Sequence, residues 1–570
     1  MTKQLCESFS FYFKNKIDNI RLHLDSLPSS PITFELFHGL PFTDFELLTD
    51  AQVLKYINNS SCKTCDLDPI PTQLLKDCID VILPYLTSIF NHSLSNGLVP
   101  QSFKHAIVKP LLKKPGLDEN ILKNFRPVSN LNFLSKVLEK VVLDQLISHI
   151  YNNNLHEIFQ SAYKANHSTE TALLKVTSDI LDEIDNKNVC ILTLLDLSAA
   201  FDTIDHKILV KRLETTFGIS GTVLMWLESY IKGRFQSVSV GNEKSQQMPL
   251  ECGVPQGSVL GPVIFTLYTQ PLANMLRDKY NMYYHFYADD TQIYICGKID
   301  DIPKLLQTTK ECIEDVKIWM TNNKLQLNDD KTEIILIRNP KIVKELPELI
   351  LNVNDNDIKF NKKVKNLGVT LDTDMTMFFF VSQLCKNLYF QLRKIASIRP
   401  YLSTEVTKTL VTSLILSKLD YCNSLLAGLP QDTINRLQLI QNNAARLICR
   451  KKKSDHITPL LKDLHWLPVS QRINYKMSVF VYKCINDIAP SYLSDALERY
   501  TPARNLRSSM DRTILVQTKR TYKFIGCRSF YHLGPLVWNK LPRDIREAGS
   551  IETFKKKLKH HLFCIAYFGD

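Results

Sequence analysis

The chain has 570 residues, 44% of them apolar and 22% charged, with a net charge of +12. That balance excludes a disordered or fibrous protein and supplies core material for three or four domains or subdomains. No apolar run approaches the ~18 residues of a membrane span, and the 14 scattered cysteines, several in apolar runs as at Cys190, Cys296 and Cys449, read as a reduced intracellular pattern rather than a disulfide framework.

Residues 1–92 read as helical, broken at Leu27–Pro31 and Asp66–Pro71, and their charged, amphipathic opening predicts no secretory signal. Cys62 and Cys65 form one CxxC without a second pair at zinc-finger spacing and are assigned to structure. Val189–Leu197 is apolar and β-branched, which predicts a buried central strand with Asp196 at its C-terminal end. A carboxylate in that position needs a partner; the competing reading makes Asp196 the N-cap of a helical pattern running from Ser198 towards Phe217. Gly253–Gly261 is a Gly-rich loop whose backbone can approach a ligand closely. Pro255 stiffens its entry, and Gln256 can offer its amide to a template base or an incoming nucleotide.

Tyr283–Phe286 and Thr291–Ile295 are β-prone runs around Asp289-Asp290, which predicts a hairpin with both acids at its tip. Adjacent like charges repel unless a cation shares them, and Mg²⁺ prefers carboxylate and phosphate oxygens. If the Asp196 strand lies beside this hairpin, three carboxylates converge. They can then hold two Mg²⁺ ions for an in-line phosphoryl transfer, the geometry of a nucleic-acid polymerase. Thr332–Ile337 reads as a further strand, and helical patterns follow from about Thr373 through Leu388–Ile398 and Thr404–Leu419.

From Gln441 to Asp570 there are 24 Lys and Arg against 10 Asp and Glu, a charge of +14, so the rest of the chain is near −2. Such asymmetry is what a backbone-tracking nucleic-acid surface requires. Trp466 and Trp538 are assigned to the core in preference to base stacking. His560, His561 and Cys564 have too few partners for a metal knuckle.

The ordered set of motifs resembles the reverse transcriptase of a non-LTR, LINE-type retrotransposon, nearest the jockey-like group. Leu195–Asp202 resembles the family's first catalytic motif, Gly253–Pro262 its template-and-nucleotide loop, and Phe286–Asp290 its metal-binding hairpin. Asn328–Thr332 and Asn366–Val369 resemble two later palm motifs, while Asn124–Ser129 and Gln160–Thr169 resemble fingers motifs. Leu464–Val469 and Gly534–Asn539 resemble the C-terminal region of the same proteins.

The resemblance implies an α+β right-hand polymerase with an antiparallel palm sheet, a helical thumb and a basic helical C-terminal region. It implies a helical connector over 1–92, fingers and palm over 93–371, a thumb over 372–440 and a nucleic-acid-binding region over 441–570. Asp196, Asp289 and Asp290 would hold two Mg²⁺ ions, with Mn²⁺ as a substitute. Phe201, five residues after Asp196, would exclude a 2′-hydroxyl, and Lys331 would protonate or steady pyrophosphate. Gln256 and Gly257 would meet nucleotide and template, and Arg126 and Lys164 would grip the triphosphate. Where the family has Arg, this chain has Lys164, which supplies charge without a planar fork. An RNA template, a DNA primer and dNTPs would be the partners, in the nucleus or cytoplasm and away from membranes. Residues 1–92 are too few to hold the family's endonuclease, which another chain would have to supply. A catalytically silent nucleic-acid-binding descendant is the alternative from another class. An RNA-copying RNA polymerase, kept in view by Asp202, stands third.

Overall fold

Alternating and continuous apolar runs become two larger sheets, of five and four strands, beside three two-stranded ones in the computed structural model, which describes residues 2–63, 65–342, 349–353, 356–500, 514–517 and 525–569. Thr64 of the CxxC, and 501–513 and 518–524 of the basic region, lie outside the described residues. The fold is mixed α and β, and among the described residues no helix is long and apolar enough to cross a membrane. The chain divides into two compact units, each assembled from three segments.

The first unit comprises Met1–Glu157, Asp196–Lys279 and Ile313–Asp330. Its sheet centres on His105–Leu112, antiparallel to Phe125–Asn130 and parallel to Arg234–Val240. The leading helix Thr2–Ser26 seals this sheet, burying Phe9 and Phe13 against Val108 and Val238. Phe9 meets Phe125 edge-on at 5.0 Å, a geometry favoured by the ring quadrupoles.

The second unit comprises Ile158–Leu195, Tyr280–Cys312 and Lys331–Asp570. Its antiparallel sheet has the order Glu333–Ile337, Val189–Leu195, Asp290–Gly297, Tyr283–Tyr287. Val189–Leu195 is the buried central strand the sequence predicts, and it does lie beside the hairpin. One apolar core runs from this sheet through the helices Thr169–Asp185, Phe378–Ile398, Gln431–Cys449 and Val469–Ile485 to Ile551–Tyr567. Trp466 and Trp538 are both buried in it, as expected.

Two expectations are corrected. The helix after Asp196 begins only at His206, and its N-cap is Asp205, whose carboxylate accepts from the backbone N–H of Lys207 and Ile208. Residues 201–204 are instead drawn into backbone bonding with the Gly-rich loop, so Asp196 is not a helix cap. Cys190 and Cys296 face each other on neighbouring strands with Cα atoms 4.2 Å apart and are joined as a disulfide. The wholly reduced pattern therefore does not hold for this pair.

Candidate active site

The hairpin tip is built in the second unit. Tyr287 pairs with Asp290 across a two-residue loop, Ala288-Asp289, with Ala288 at φ +57°. Positive φ at the first loop position suits the twist of a tight hairpin, but a non-glycine residue there stores about 1–2 kcal/mol of strain. Gln160 holds the turn. Its Oε1 accepts from the N–H groups of Ala288 at 3.1 Å and Ala162 at 2.9 Å, and the side chain is buried. Phe286 N–H donates to Phe159 O at 2.8 Å, and Ser161 N–H donates to Phe286 O at 3.0 Å. Residues 159–161 thus run as a parallel edge along the hairpin.

Asp289 is half-buried and Asp290 exposed. Burial, and then the charges of Asp289 and Tyr287, push the Tyr163 phenol up. Lys164 contributes to lowering the basicity of His285. The structure therefore brings Tyr163 and Lys164 into the electrostatic surroundings of the hairpin. Sequence reading passed over Gln160 and Tyr163 although both lie in a quoted motif. Gln160 acts through an uncharged amide, and its partners, Ala288 and Ala162 N–H, are backbone groups that leave no mark in a sequence.

Register places three chain positions at one end of the same sheet: Leu195 opposite Thr291, Glu333 opposite Leu194, and the hairpin tip beyond Thr291. Asp196 is the next residue after Leu195, and exposed Lys331 precedes Glu333 by two. In the first unit, Asp196 is half-buried and its carbonyl accepts from Asn328 N–H at 2.9 Å, where Leu197 and Ser198 pair with Leu327 and Gln326. Among the described residues no three His, Cys, Asp or Glu side chains form a ready-made metal cluster. The acids at the hairpin tip are a pair of hard oxygen donors. That donor set fits Mg²⁺, which takes one or two carboxylates and fills its shell with water and substrate phosphates.

The Gly-rich loop is positioned in the first unit by backbone closeness that only glycine permits. A Cβ on Gly253 (φ +80°) would meet Asp202 O at 2.6 Å, and one on Gly257 (φ +113°) would meet Ser129 O at 2.4 Å. Val254 N–H donates to Phe201 O, Gly253 N–H to Ile204 O, and Ser129 N–H to Gln256 O, each at 2.8 Å. The loop is thus tied both to the Phe201 stretch and to the strand that carries Arg126. Phe201 stacks on Phe265 with centroids 4.6 Å apart, so its ring is fixed. Arg126 is exposed and donates to Lys113 O at 3.3 Å.

Gln256 Nε2 donates to Asp202 Oδ2 at 2.8 Å. Burial pushes the Asp202 carboxyl up to about 7, against the opposing pull of Lys16 and Gln256. Asp202 therefore works on Gln256, a role that reading it as a polymerase-type marker did not foresee. Beside this pair lies a cavity of about 740 Å³, walled by Tyr12, Phe13 and Lys16 of the leading helix and by the loop itself. Arg21 closes one side through Asp205 at 2.6 Å.

The pattern of the family described as reverse transcriptase (RNA-dependent DNA polymerase) matches residues 112–371. The chain is 26% identical over 495 residues to the probable RNA-directed DNA polymerase from transposon X-element of Drosophila melanogaster, covering 85% of this chain and 52% of that protein. It is 25% identical over 455 residues to the probable RNA-directed DNA polymerase from transposon BS of the same fly, covering 78% and 49%. Against the RNA-directed DNA polymerase from mobile element jockey of that fly the identity is 27% over 301 residues, covering 52% and 32%. The chain thus spans about half the length, or less, of these relatives. Residues 112–371 thus match the reverse transcriptase family, and most of the chain is similar to RNA-directed DNA polymerases of Drosophila mobile elements such as X-element and jockey.

Proposed function

We propose that the protein is an RNA-directed DNA polymerase that extends a DNA primer on an RNA template. The observation that carries this reading is the paired-acid hairpin tip at the same sheet end as the strand that leads into Asp196. In this reading fingers and palm lie within 93–371, the thumb is 372–440, residues 1–92 connect, and the basic 441–570 region adds a nucleic-acid-binding surface. The intracellular compartment, nuclear or cytoplasmic, follows from the template.

Asp196, Asp289 and Asp290 would hold the metal ions. Two Mg²⁺, or Mn²⁺ in their place, would activate the primer 3′-hydroxyl and offset charge on the triphosphate. Phe201, fixed by its stack on Phe265, forms the floor under the sugar and leaves no room for a 2′-oxygen. Gln256 and Gly257 present the loop to nucleotide and template, with Asp202 setting the amide's orientation. Arg126 and Lys164 bind phosphate oxygens, and Lys331 donates its proton to or steadies the departing pyrophosphate. Exposed aromatic rings of the proposed thumb carry cations on their faces: Lys363 lies 4.7 Å from Phe379, and Lys394 lies 4.6 Å from Phe390. Such a face suits stacked bases and phosphates.

Primer extension on oligo(dT)-primed poly(rA) with Mg²⁺ tests this directly. Extension with dTTP and not UTP, lost in Asp289→Ala/Asp290→Ala, is the expected result. Retention of the duplex by both proteins with extension by neither would establish the silent binding protein instead.

A further inference from the structure

Behind the hairpin, within the second unit, lies a buried chain of hydroxyls with a consistent direction. Ser161 Oγ stands 2.8 Å from His285 Nε2 and 2.7 Å from Tyr492 OH. Tyr492 OH donates to Thr171 Oγ1 at 3.1 Å, and Thr171 Oγ1 donates to Ser168 O at 2.9 Å. With Tyr492 donating onward, Ser161 donates to Tyr492, and His285 must donate from Nε2 to Ser161. Ser161 and Tyr492 then each give one bond and receive one, while Thr171 Oγ1 gives one and receives two, the second from Ser168 N–H at 2.9 Å. His285 is wholly buried and its Nδ1 has no hydrogen-bond partner among the described residues, which suits a bare acceptor nitrogen better than an unpaired N–H. Burial, aided by Lys175, His167 and Lys164, pushes this imidazole down to about 3 and keeps it neutral.

The same three residues that clamp the catalytic hairpin lie at the head of this chain. Phe159 and Ser161 bond both backbone faces of Phe286, and Gln160 between them caps the strained Ala288 turn. Ser161 is therefore held from both sides, by the hairpin through its backbone and by Tyr492 through its hydroxyl. Tyr492 belongs to the short helix Ser491–Ser494, 331 residues further along. It is buried, edge-on to His285 at 5.1 Å and stacked on Phe159 at 6.2 Å.

We propose that Tyr492 is a positioning residue for the catalytic hairpin, so that the C-terminal region sets the alignment of Asp289 and Asp290 through Ser161 and Gln160. Its role rests on the polymerase reading only for its effect on turnover; the clamp itself does not.

The test compares wild type with Tyr492→Phe, which keeps the ring, and Ser161→Ala, which keeps the backbone clamp. Hydrogen exchange of the amides of residues 286–290, measured without metal, is expected to quicken about two- to tenfold in both variants, the worth of one hydrogen bond. Amides of the Ile551–Tyr567 helix should keep their wild-type rates. In primer extension kcat should fall by a similar factor, with KM for dTTP and duplex affinity within about twofold and half-saturating Mg²⁺ raised. Unchanged exchange at 286–290, or an equal acceleration throughout the unit, would overturn the proposal. If wild type itself fails to extend primers while the hairpin amides still respond, the polymerase reading falls and the positioning role stands.

Discussion

Gly257 shows how one missing Cβ positions a larger group. At φ +113° and with Ser129 O in the place a Cβ would take, Gly257→Ala cannot keep the loop against the strand that carries Arg126. Gln256 is bonded through its carbonyl to Ser129 and through its amide to Asp202, so it moves with the loop. The expected outcome is loss of primer extension by more than about tenfold with duplex affinity unchanged, measured by steady-state kinetics and by anisotropy. His285 makes a different prediction, on stability. Its folded pKa lies far below the ordinary value of 6.5, so the unfolded chain takes up the proton first. Stability is complete above about pH 6.5 and falls by about 1.4 kcal/mol per unit as pH drops towards 3. Asp202 tilts the opposite way: raised to about 7, its contribution is full below about 3.8 and fades as pH rises through 7. Because the two slopes oppose between pH 4.5 and 6.5, urea unfolding there should show His285→Gln losing stability relative to wild type by about 1.4 kcal/mol for each unit the pH rises.

At the scale of the element, the hairpin joins opposed demands. Two carboxylates sit side by side at a turn that already holds alanine at positive φ, and Gln160 and the edge residues restrain it. Replacing both acids with Asn keeps shape and removes repulsion. Asp289→Asn/Asp290→Asn should therefore melt no lower than wild type without metal, while extension falls by more than about a hundredfold. A lower melting temperature would mean that the acids serve structure. The hairpin was legible in the sequence because its signals are local: two β-prone runs and the adjacent acids between them all fall within Tyr283–Ile295. The Gln160 clamp was not, because the Gln160–Phe286 bridge joins segments with no shared periodicity. The late helix start at His206 was hidden for the same reason. Backbone bonds from Phe201 and Ile204 to Gly253 and Val254 override a helical pattern that begins at Ser198, a tertiary contact outweighing local propensity.

For the whole molecule, the basic C-terminal region has a buried side that Trp466 and Trp538 mark in the sequence but whose extent they do not reveal. Tyr482 and Phe554 stack at 4.3 Å, Trp538 and Phe554 are wholly buried, and this core is continuous with the strand Val189–Leu195 through Cys190 and Leu192. Counting charge found the solvent face; the apolar positions beneath it are spread too widely to announce a shared core. Two separable consequences follow. Ending the chain before Gln441 removes Trp538, Phe554 and Leu558 from that core, several large buried side chains worth about 3–5 kcal/mol each for the aromatics. That exceeds the usual margin of stability, so the shortened protein should lose the cooperative unfolding transition of the second unit. Neutralising Lys451, Lys452 and Lys453, all exposed, touches no core residue. The triple Gln variant should keep its melting temperature and kcat. Its duplex affinity should fall several-fold at 0.1 M salt, and the slope of log affinity against log salt should flatten by about two, for up to three lost phosphate contacts. An unchanged slope would show that nucleic acid does not follow this face, and that the region's excess charge acts elsewhere on the surface.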